Sequence, residues 1–516
     1  MQTLLQQLTT IREQIPILAP ECILLTFFLL IILVDLIGKK NTNKNLISKL
    51  AFVCFLLVFI LAIFQIRQIK DLTLSAGENG YDSKRFFGFI RYDSFAVFFK
   101  LVFALAGMLA VLMSAGYNTL EKRSKGLGEF HAVLIAVVFG MNFMAMSSNL
   151  LMMFLSLEMV SIGSYILTAY TRMDHKSAEG GLKYILFGTV ASGAMIYGIS
   201  LLYGFTGTLD ISDPVFLERL GAVNETAILV AGLFTLSGFA YKIAMVPFHL
   251  WSPDVYEGAP TPVTAFMSVG PKAAGFAMLL RFLLVFVEQK GVSYNGWAHF
   301  NWINTLSILS ILTMTIGNFS AIWQTNAKRM LAYSSIAHAG YLLMGVMAIS
   351  TIGISSILFY LIVYTLMNVG AFLVIGIISE KIGSEDVRDF KGLGMKMPFL
   401  GSCLVVFLIS LTGLPPTAGF TGKLFLFSAV LDAYYVTHNS FLFWLMIAGI
   451  LNSVVSLFYY FKIPLFMFLK KGSENLNITT RYTEFAFAGA LAVALIFLFI
   501  RSGFLMDLAG EAVLGF

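Results

Sequence analysis

Between about residue 16 and residue 501 the chain is a succession of apolar runs, each about 20 residues long and separated from the next by a short polar loop. At about 1.5 Å per helical residue such a run crosses a hydrocarbon layer about 30 Å thick, where a single segment can satisfy its own backbone only as a helix. The pattern predicts an all-α integral membrane protein of fourteen helices, near 16–38, 46–66, 92–115, 128–146, 148–170, 177–204, 225–255, 262–287, 303–323, 328–348, 353–379, 397–433, 441–468 and 483–501. Only 12% of its residues are charged, against about 25% in soluble domains. Length therefore counts helices here, not domains.

The first run is longer than a signal-peptide core and has no small-residue cleavage site before Lys39 and Lys40, so it is expected to persist as a mature helix. Cys22, Cys54 and Cys403 stand singly in apolar runs, without the spacing of a disulfide framework, zinc site or iron–sulfur cluster, and read as small core hydrophobes. The net charge of +6 comes from loop residues with no basic patch interleaved with aromatics, which argues against nucleic acid. Basic residues gather after odd-numbered helices, as at Lys39, Lys40, Lys122, Arg123, Lys328, Arg329, Lys470 and Lys471. By the positive-inside rule those loops are cytoplasmic and both termini periplasmic. Arg67, Lys70, Lys84, Arg85 and Arg91, between helices 2 and 3, run against that bias.

Two helices carry interruptions. Pro247 lies in "KIAMVPFHLWSPDVY" and Pro415 and Pro416 in "SLTGLPPTAGFTGKLFLF"; each proline removes a backbone donor and clashes with the preceding turn, so helices 7 and 12 should be discontinuous. The lead-ins "TLSGF" (235–239) and "SLTGL" (410–414) match weakly, as expected if helices 4–8 and 9–13 are two copies of one five-helix unit. An odd number of spans per copy inverts one relative to the other, and broken helices at corresponding places in inverted repeats mark a midplane ion site. The implied division is 1–125 for three N-terminal helices, 126–290 and 300–470 for the two repeats, and 480–516 for helix 14.

Six ionisable residues fall inside apolar spans: Glu158, Lys183, Lys242, Lys272, His338 and Lys423. Each costs at least about 2.5 kcal/mol at the bilayer centre, so each requires a partner, a water-filled cavity or a function. Glu158 and Lys183 flank a turn near Asp174 and are expected to approach as an ion pair whose rearrangement would control proton affinity. Lys242 precedes one helix break and Lys423 follows the other, beside backbone groups that a break leaves free. Lys272 and His338 would link them, an imidazole being able to hold or release a proton near neutrality. Lys100 and Arg281 lie closer to span ends and are expected to snorkel. The chain carries no phosphate loop, dinucleotide fingerprint, haem-spaced histidines or clustered cysteines, and is expected to bind no redox cofactor and hydrolyse no nucleotide.

On these residues the chain is similar to a known family. The segments "KIAMVPFHLWSPDVYEGAPTPVTAFMSVGPKAAGF" (242–276), "KRMLAYSSIAHAGYLLMG" (328–345) and "TGLPPTAGFTGKLFLF" (412–427) resemble the proton-translocating membrane subunits shared by respiratory complex I and multisubunit cation/proton antiporters, and the likeness extends over nearly the whole chain. A lysine at Lys423, an end soon after the fourteenth helix and the overall length resemble the subunit-N branch of bacterial NADH–quinone oxidoreductase. The resemblance implies a modulating pair at Glu158 and Lys183, a central proton carrier at Lys242, a relay at Lys272 and His338, and a terminal group at Lys423. Asp254 and Glu257, in the signature loop, are expected to have no more than a structural or surface role. It further implies proton transfer from cytoplasm to periplasm across a bacterial inner membrane, driven by quinone reduction elsewhere. NADH, FMN, iron–sulfur clusters and quinone would belong to partner subunits. The neighbours would be another antiporter-like subunit, small membrane subunits and lipid. Rival readings are a subunit of a cation/proton antiporter, a membrane-bound hydrogenase or related redox complex with the same module, and a structural subunit that moves nothing.

Overall fold

The computed structural model describes residues 2–37, 44–76, 81–117, 120, 127–284, 302–348, 350–472 and 481–514. Among them thirteen helices are long and apolar enough to cross a membrane, and a shorter apolar helix opens the twelfth of the expected spans. The spans are α1 (Ala19–Ile37), α2 (Lys44–Ala76), α3 (Ser94–Ala115), α4 (Gly128–Met146), α5 (Leu150–Thr168) and α6 (His175–Thr206). Next come α7a (Glu225–Ile243), α7b (Ser252–Gly258), α8 (Thr261–Leu284), α9 (Trp302–Trp323), α10 (Ala327–Met347) and α11 (Thr351–Ile382). The last are α12a (Pro398–Thr412), α12b (Ala418–Thr437), α13 (Ser440–Pro464) and α14 (Tyr482–Ile500). Lys39, Lys40, Lys122 and Arg123, on which the expected orientation partly rests, lie outside the described residues.

Polar caps punctuate the apolar runs. Asp93, Asn149, Asp174 and Asn326 each accept a backbone N–H from the first turn of α3, α5, α6 and α10, satisfying donors that no helix can satisfy for itself. Two differences from expectation follow from such local chemistry. α2 continues to Ala76, ten residues past its apolar run, because the intervening residues favour helix and one of them, Lys70, pairs with Glu511 at 2.8 Å. Short helices at Gln2–Gln14 and Ser502–Leu514, too polar or short to register as spans, flank the bundle; the second packs against α11 and α3. Between α2 and α3 a two-stranded turn of sheet holds Lys84 against Asp210 at 3.3 Å, so part of the basic cluster that ran against the charge bias is neutralised locally.

Both expected breaks are present. α7a stops at Ala244 and α12a at Gly413, both in the left-handed conformation. Almost every residue of α8, α10 and α11 is buried, whereas α1, α13 and α14 are largely exposed along their apolar faces. The buried helices are central, and they carry Lys272 and His338.

Candidate proton pathway

At the first break the chain hands its freed backbone groups to neutral partners. The Trp251 indole donates to the Tyr241 carbonyl at 3.1 Å while stacking on Tyr184, and the Val246 N–H is received by the Thr313 hydroxyl of α9 at 3.1 Å. Lys242, 1% exposed, donates to Ser161 of α5 at 3.1 Å. Glu158 lies one turn from Ser161 on the same face of α5 and is the carboxylate whose charge acts on Lys242. Its Oε1 is buried with no hydrogen-bond partner among the described residues.

The expected Glu158–Lys183 pair is not formed. Lys183 instead meets Glu179, one turn earlier on α6, and Asp254 of α7b, each at 2.7 Å, with 37% of its side chain exposed. Side chains on a helix lean toward its N-terminus. For α6 that is the end bearing Asp254, so the lysine is carried away from Glu158. Asp254 and Glu257, expected to have no more than a structural or surface role, are the hub of this face: Asp254 also binds Arg329, and Glu257 takes Arg329 at 3.2 Å and Lys176 at 2.8 Å. Beside them opens a polar cleft of about 630 Å³ that includes Glu257, Lys328 and Glu385. Lys328, 4% exposed, donates to the Ala259 carbonyl and pairs with Glu385.

From α7a the site continues into the central helices. Gly275 of α8 packs directly on the first break; a Cβ there would lie 2.8 Å from Ile243 and 3.4 Å from the Lys242 side chain. One turn away, Lys272 donates to the hydroxyl and the carbonyl of Ser335 at 2.5 and 2.9 Å. Ser335, His338 and Tyr341 follow at intervals of three along α10 and share one face. His338, 2% exposed, shares hydrogen bonds with Tyr360 at 2.7 Å and Tyr460 at 3.1 Å. Tyr341 receives the Ser453 hydroxyl at 3.2 Å, and Ser453 in turn receives Lys423 at 3.4 Å, with the Lys423 ammonium 4.3 Å from the Tyr341 ring centre. Lys423 also donates to the Thr412 carbonyl at 2.8 Å, a group that the second break releases. Four of the six residues singled out by sequence (Lys242, Lys272, His338 and Lys423) thus lie in one file through the buried centre, Glu158 borders it, and Lys183 belongs to the surface network.

The file depends on neutral residues that hydropathy passed over: Ser161, Ser335, Tyr341, Tyr360, Ser453 and Tyr460. Hydroxyls can bond back into their own helix and so pass unremarked in apolar spans. The one visible signal was the three-residue spacing of Ser335, His338 and Tyr341. Lys100 and Arg281 also depart from expectation. Neither snorkels: Lys100 is fully buried 2.8 Å from Glu21, and Arg281 grips Asp93 through two bonds of 2.6 and 2.7 Å. A buried carboxylate in reach holds each cation inside.

Residues 147–448, which contain Lys242, Lys272, His338 and Lys423, match the family model described as NADH:quinone oxidoreductase/Mrp antiporter, transmembrane. The chain belongs to this family. It is 46% identical over 460 residues to NADH-quinone oxidoreductase subunit N 2 of Chloroherpeton thalassium, covering 86% of this chain and 88% of the relative. Subunit N of Chlorobium chlorochromatii is 43% identical over 496 residues, or 95% and 93% of the two chains. Among solved structures, a chain of Thermus thermophilus respiratory complex I is 28% identical with a TM-score of 0.71, covering 95% of this chain and 99% of that one. A chain of an archaeal membrane-bound sulfane sulfur reductase is 26% identical with a TM-score of 0.81, at 97% coverage of both. The family match bears out the resemblance read from the three motif segments, and the buried file is what this chain brings to it.

Proposed function

We propose that this chain is a proton-translocating membrane subunit of an NADH–quinone oxidoreductase and works as a translocase without a redox centre of its own. The observation that carries the reading is the buried file itself: three lysines and a histidine, each costly inside a bilayer and each hydrogen-bonded to a hydroxyl-bearing side chain, at Ser161, Ser335, Tyr360 and Ser453. In this reading protons are taken up at the cytoplasmic face beside Asp254 and Arg329, reach Lys242 near Glu158, pass by Lys272 and His338, and leave through Lys423. Lys242 and Lys423 are the carriers next to the two breaks, Lys272 and His338 relay between them, and Glu158 sets the charge that Lys242 meets. Lys183 modulates uptake through Asp254 rather than through Glu158.

The two five-helix units, 126–290 and 300–470, are inverted copies meeting at this file, with both termini periplasmic in a bacterial inner membrane. Quinone reduction in partner subunits, which hold NADH, FMN and iron–sulfur clusters, drives the cycle. The adjoining partners are another antiporter-like subunit and small membrane subunits.

Native membranes extracted in mild detergent and run on a native gel test the assembly. The chain should be found by mass spectrometry in a large band that oxidises NADH; a large band without redox subunits would replace this reading with the antiporter one. In the purified assembly reconstituted into vesicles, Lys242→Ala should keep NADH-to-quinone electron transfer possible while abolishing this subunit's share of proton uptake. Unchanged protons per electron in that variant would end the carrier role of Lys242.

A further inference from the structure

Two ion pairs are buried at the end of the bundle opposite Asp254, where α3 begins and α4 and α8 finish, and they differ in one respect. Asp93 and Arg281 close on each other through two hydrogen bonds, Asp93 also caps α3 through the Ala96 N–H, and Arg281 donates to the Ala145 carbonyl at 2.8 Å. Glu21 and Lys100 are not closed in this way. Glu21, in the first turn of α1, presents Oε1 to both Lys100 of α3 at 2.8 Å and the Asn142 amide of α4 at 2.9 Å. Its other oxygen, Oε2, has no hydrogen-bond partner among the described residues, nor has Oδ1 of Asn142. The three side chains are 2%, 0% and 0% exposed.

Buried polar groups are nearly always satisfied, and each exception asks for an occupant. Here the surplus is matched. An ammonium carries three N–H donors; among the described residues this one meets a single oxygen, and two acceptor oxygens of the same cluster have no hydrogen-bond partner. One water accepting from Lys100 and donating to Glu21 Oε2 and Asn142 Oδ1 would make about three hydrogen bonds, as a typical buried water does.

We propose that Glu21, Lys100 and Asn142 hold an internal water and form a further proton-binding site, lying outside the Lys242–Lys423 file and outside both five-helix units except for Asn142. The proposal rests on the proton-transport reading. The step is an exchange through that water. An N–H proton of Lys100 passes to the water oxygen, and a proton already on the water passes to Glu21 Oε2. This leaves a neutral amine, a neutral carboxylic acid and the water restored. Both members of the pair lose their charge together, so neither is stranded as a lone ion inside the membrane. Asp93–Arg281 cannot work in this way, because a guanidinium stays protonated; it is a fixed brace beside a protonatable site.

The test uses the complete complex in vesicles, with protons per electron as the readout. Glu21→Gln, Lys100→Met and the double variant Glu21→Gln/Lys100→Met should all lower that ratio, the double no less than the singles. If the pair were only a brace, removing both charges would leave no lone buried ion, and the double variant would regain the wild-type ratio; that recovery would overturn the proposal. The wild-type redox-induced infrared difference spectrum covers the case in which the variants fail to assemble. It should contain a protonated-carboxyl band that shifts in Asn142→Leu, and a spectrum identical in the two proteins would also overturn the proposal. Lys242→Ala in the same assay separates the two readings, since normal pumping there defeats proton transport through the file, whereas normal pumping in the Glu21 variants alone defeats only this site.

Discussion

The two helix breaks are alike in sequence position and unlike in how they are satisfied. At the first, backbone groups go to the Trp251 indole and the Thr313 hydroxyl, and Lys242 turns instead to Ser161 and the field of Glu158. At the second, the Lys423 ammonium itself holds the Thr412 carbonyl. Lys242 can therefore exchange its proton without disturbing the backbone around it. For Lys423 the charge that would move is also part of what holds the break. A charge-assisted hydrogen bond is about twice as strong as a neutral one, so deprotonating Lys423 loosens the break, and reshaping the break alters the affinity of Lys423 for its proton. Of the two, only the second couples conformation to protonation directly.

The largest expected effect separates the two lysines. Lys242→Ala should reduce this subunit's share of pumping by about 10²-fold, the scale of losing a positioned proton carrier, with little change in the subunit's resistance to unfolding in detergent. Lys423→Ala should impair pumping and also destabilise the fold by about 1–2 kcal/mol, because the Thr412 carbonyl loses its partner in an apolar setting. Equal unfolding resistance in the two variants would dissolve the contrast.

Trp251→Phe tests the other side of the comparison. It keeps an aromatic ring on Tyr184 while leaving the Tyr241 carbonyl with the Ala244 N–H alone, and should cost about 1 kcal/mol, the scale of one lost hydrogen bond. Because Lys242 bonds to Ser161 and not to the backbone of the break, unfolding titrations of the Trp251→Phe/Lys242→Ala double variant against the singles should be additive, and a coupling energy between the two would count against the contrast.

Tyr460→Phe should have the smallest effect. His338 keeps its bond to Tyr360, so pumping should slow only a few-fold, with full assembly. Loss of all pumping in that variant would mean that Tyr460 is an obligatory link rather than one of two supports for the imidazole.

The spans, the two breaks and the buried lysines were legible because each is a local property. An apolar run of sufficient length must be a helix in lipid, and a proline lacks the N–H that continuing the helix would need. Lys183 shows where local reasoning stops. Its place along α6 was expected to bring it within about 10 Å of Glu158 in depth, but depth says nothing about which way a side chain leans or which face of α6 meets α7b, and the lysine bonded to Asp254. Lys100 and Arg281 were misjudged for the same reason, since the carboxylates that keep them inside lie 79 and 188 residues away in sequence.

The number of membrane-crossing segments, the two interruptions, and the presence of charges that the membrane cannot leave unattended were determined by the sequence alone. The pairing of those charges was decided only in three dimensions: Lys242 with Ser161, Lys272 with Ser335, Lys423 with Thr412, and Glu21 with Lys100 and Asn142. Hydropathy and proline act through the residue's own stretch of backbone, whereas a hydrogen bond within 3.5 Å requires two helix faces, distant in sequence, to be packed against each other.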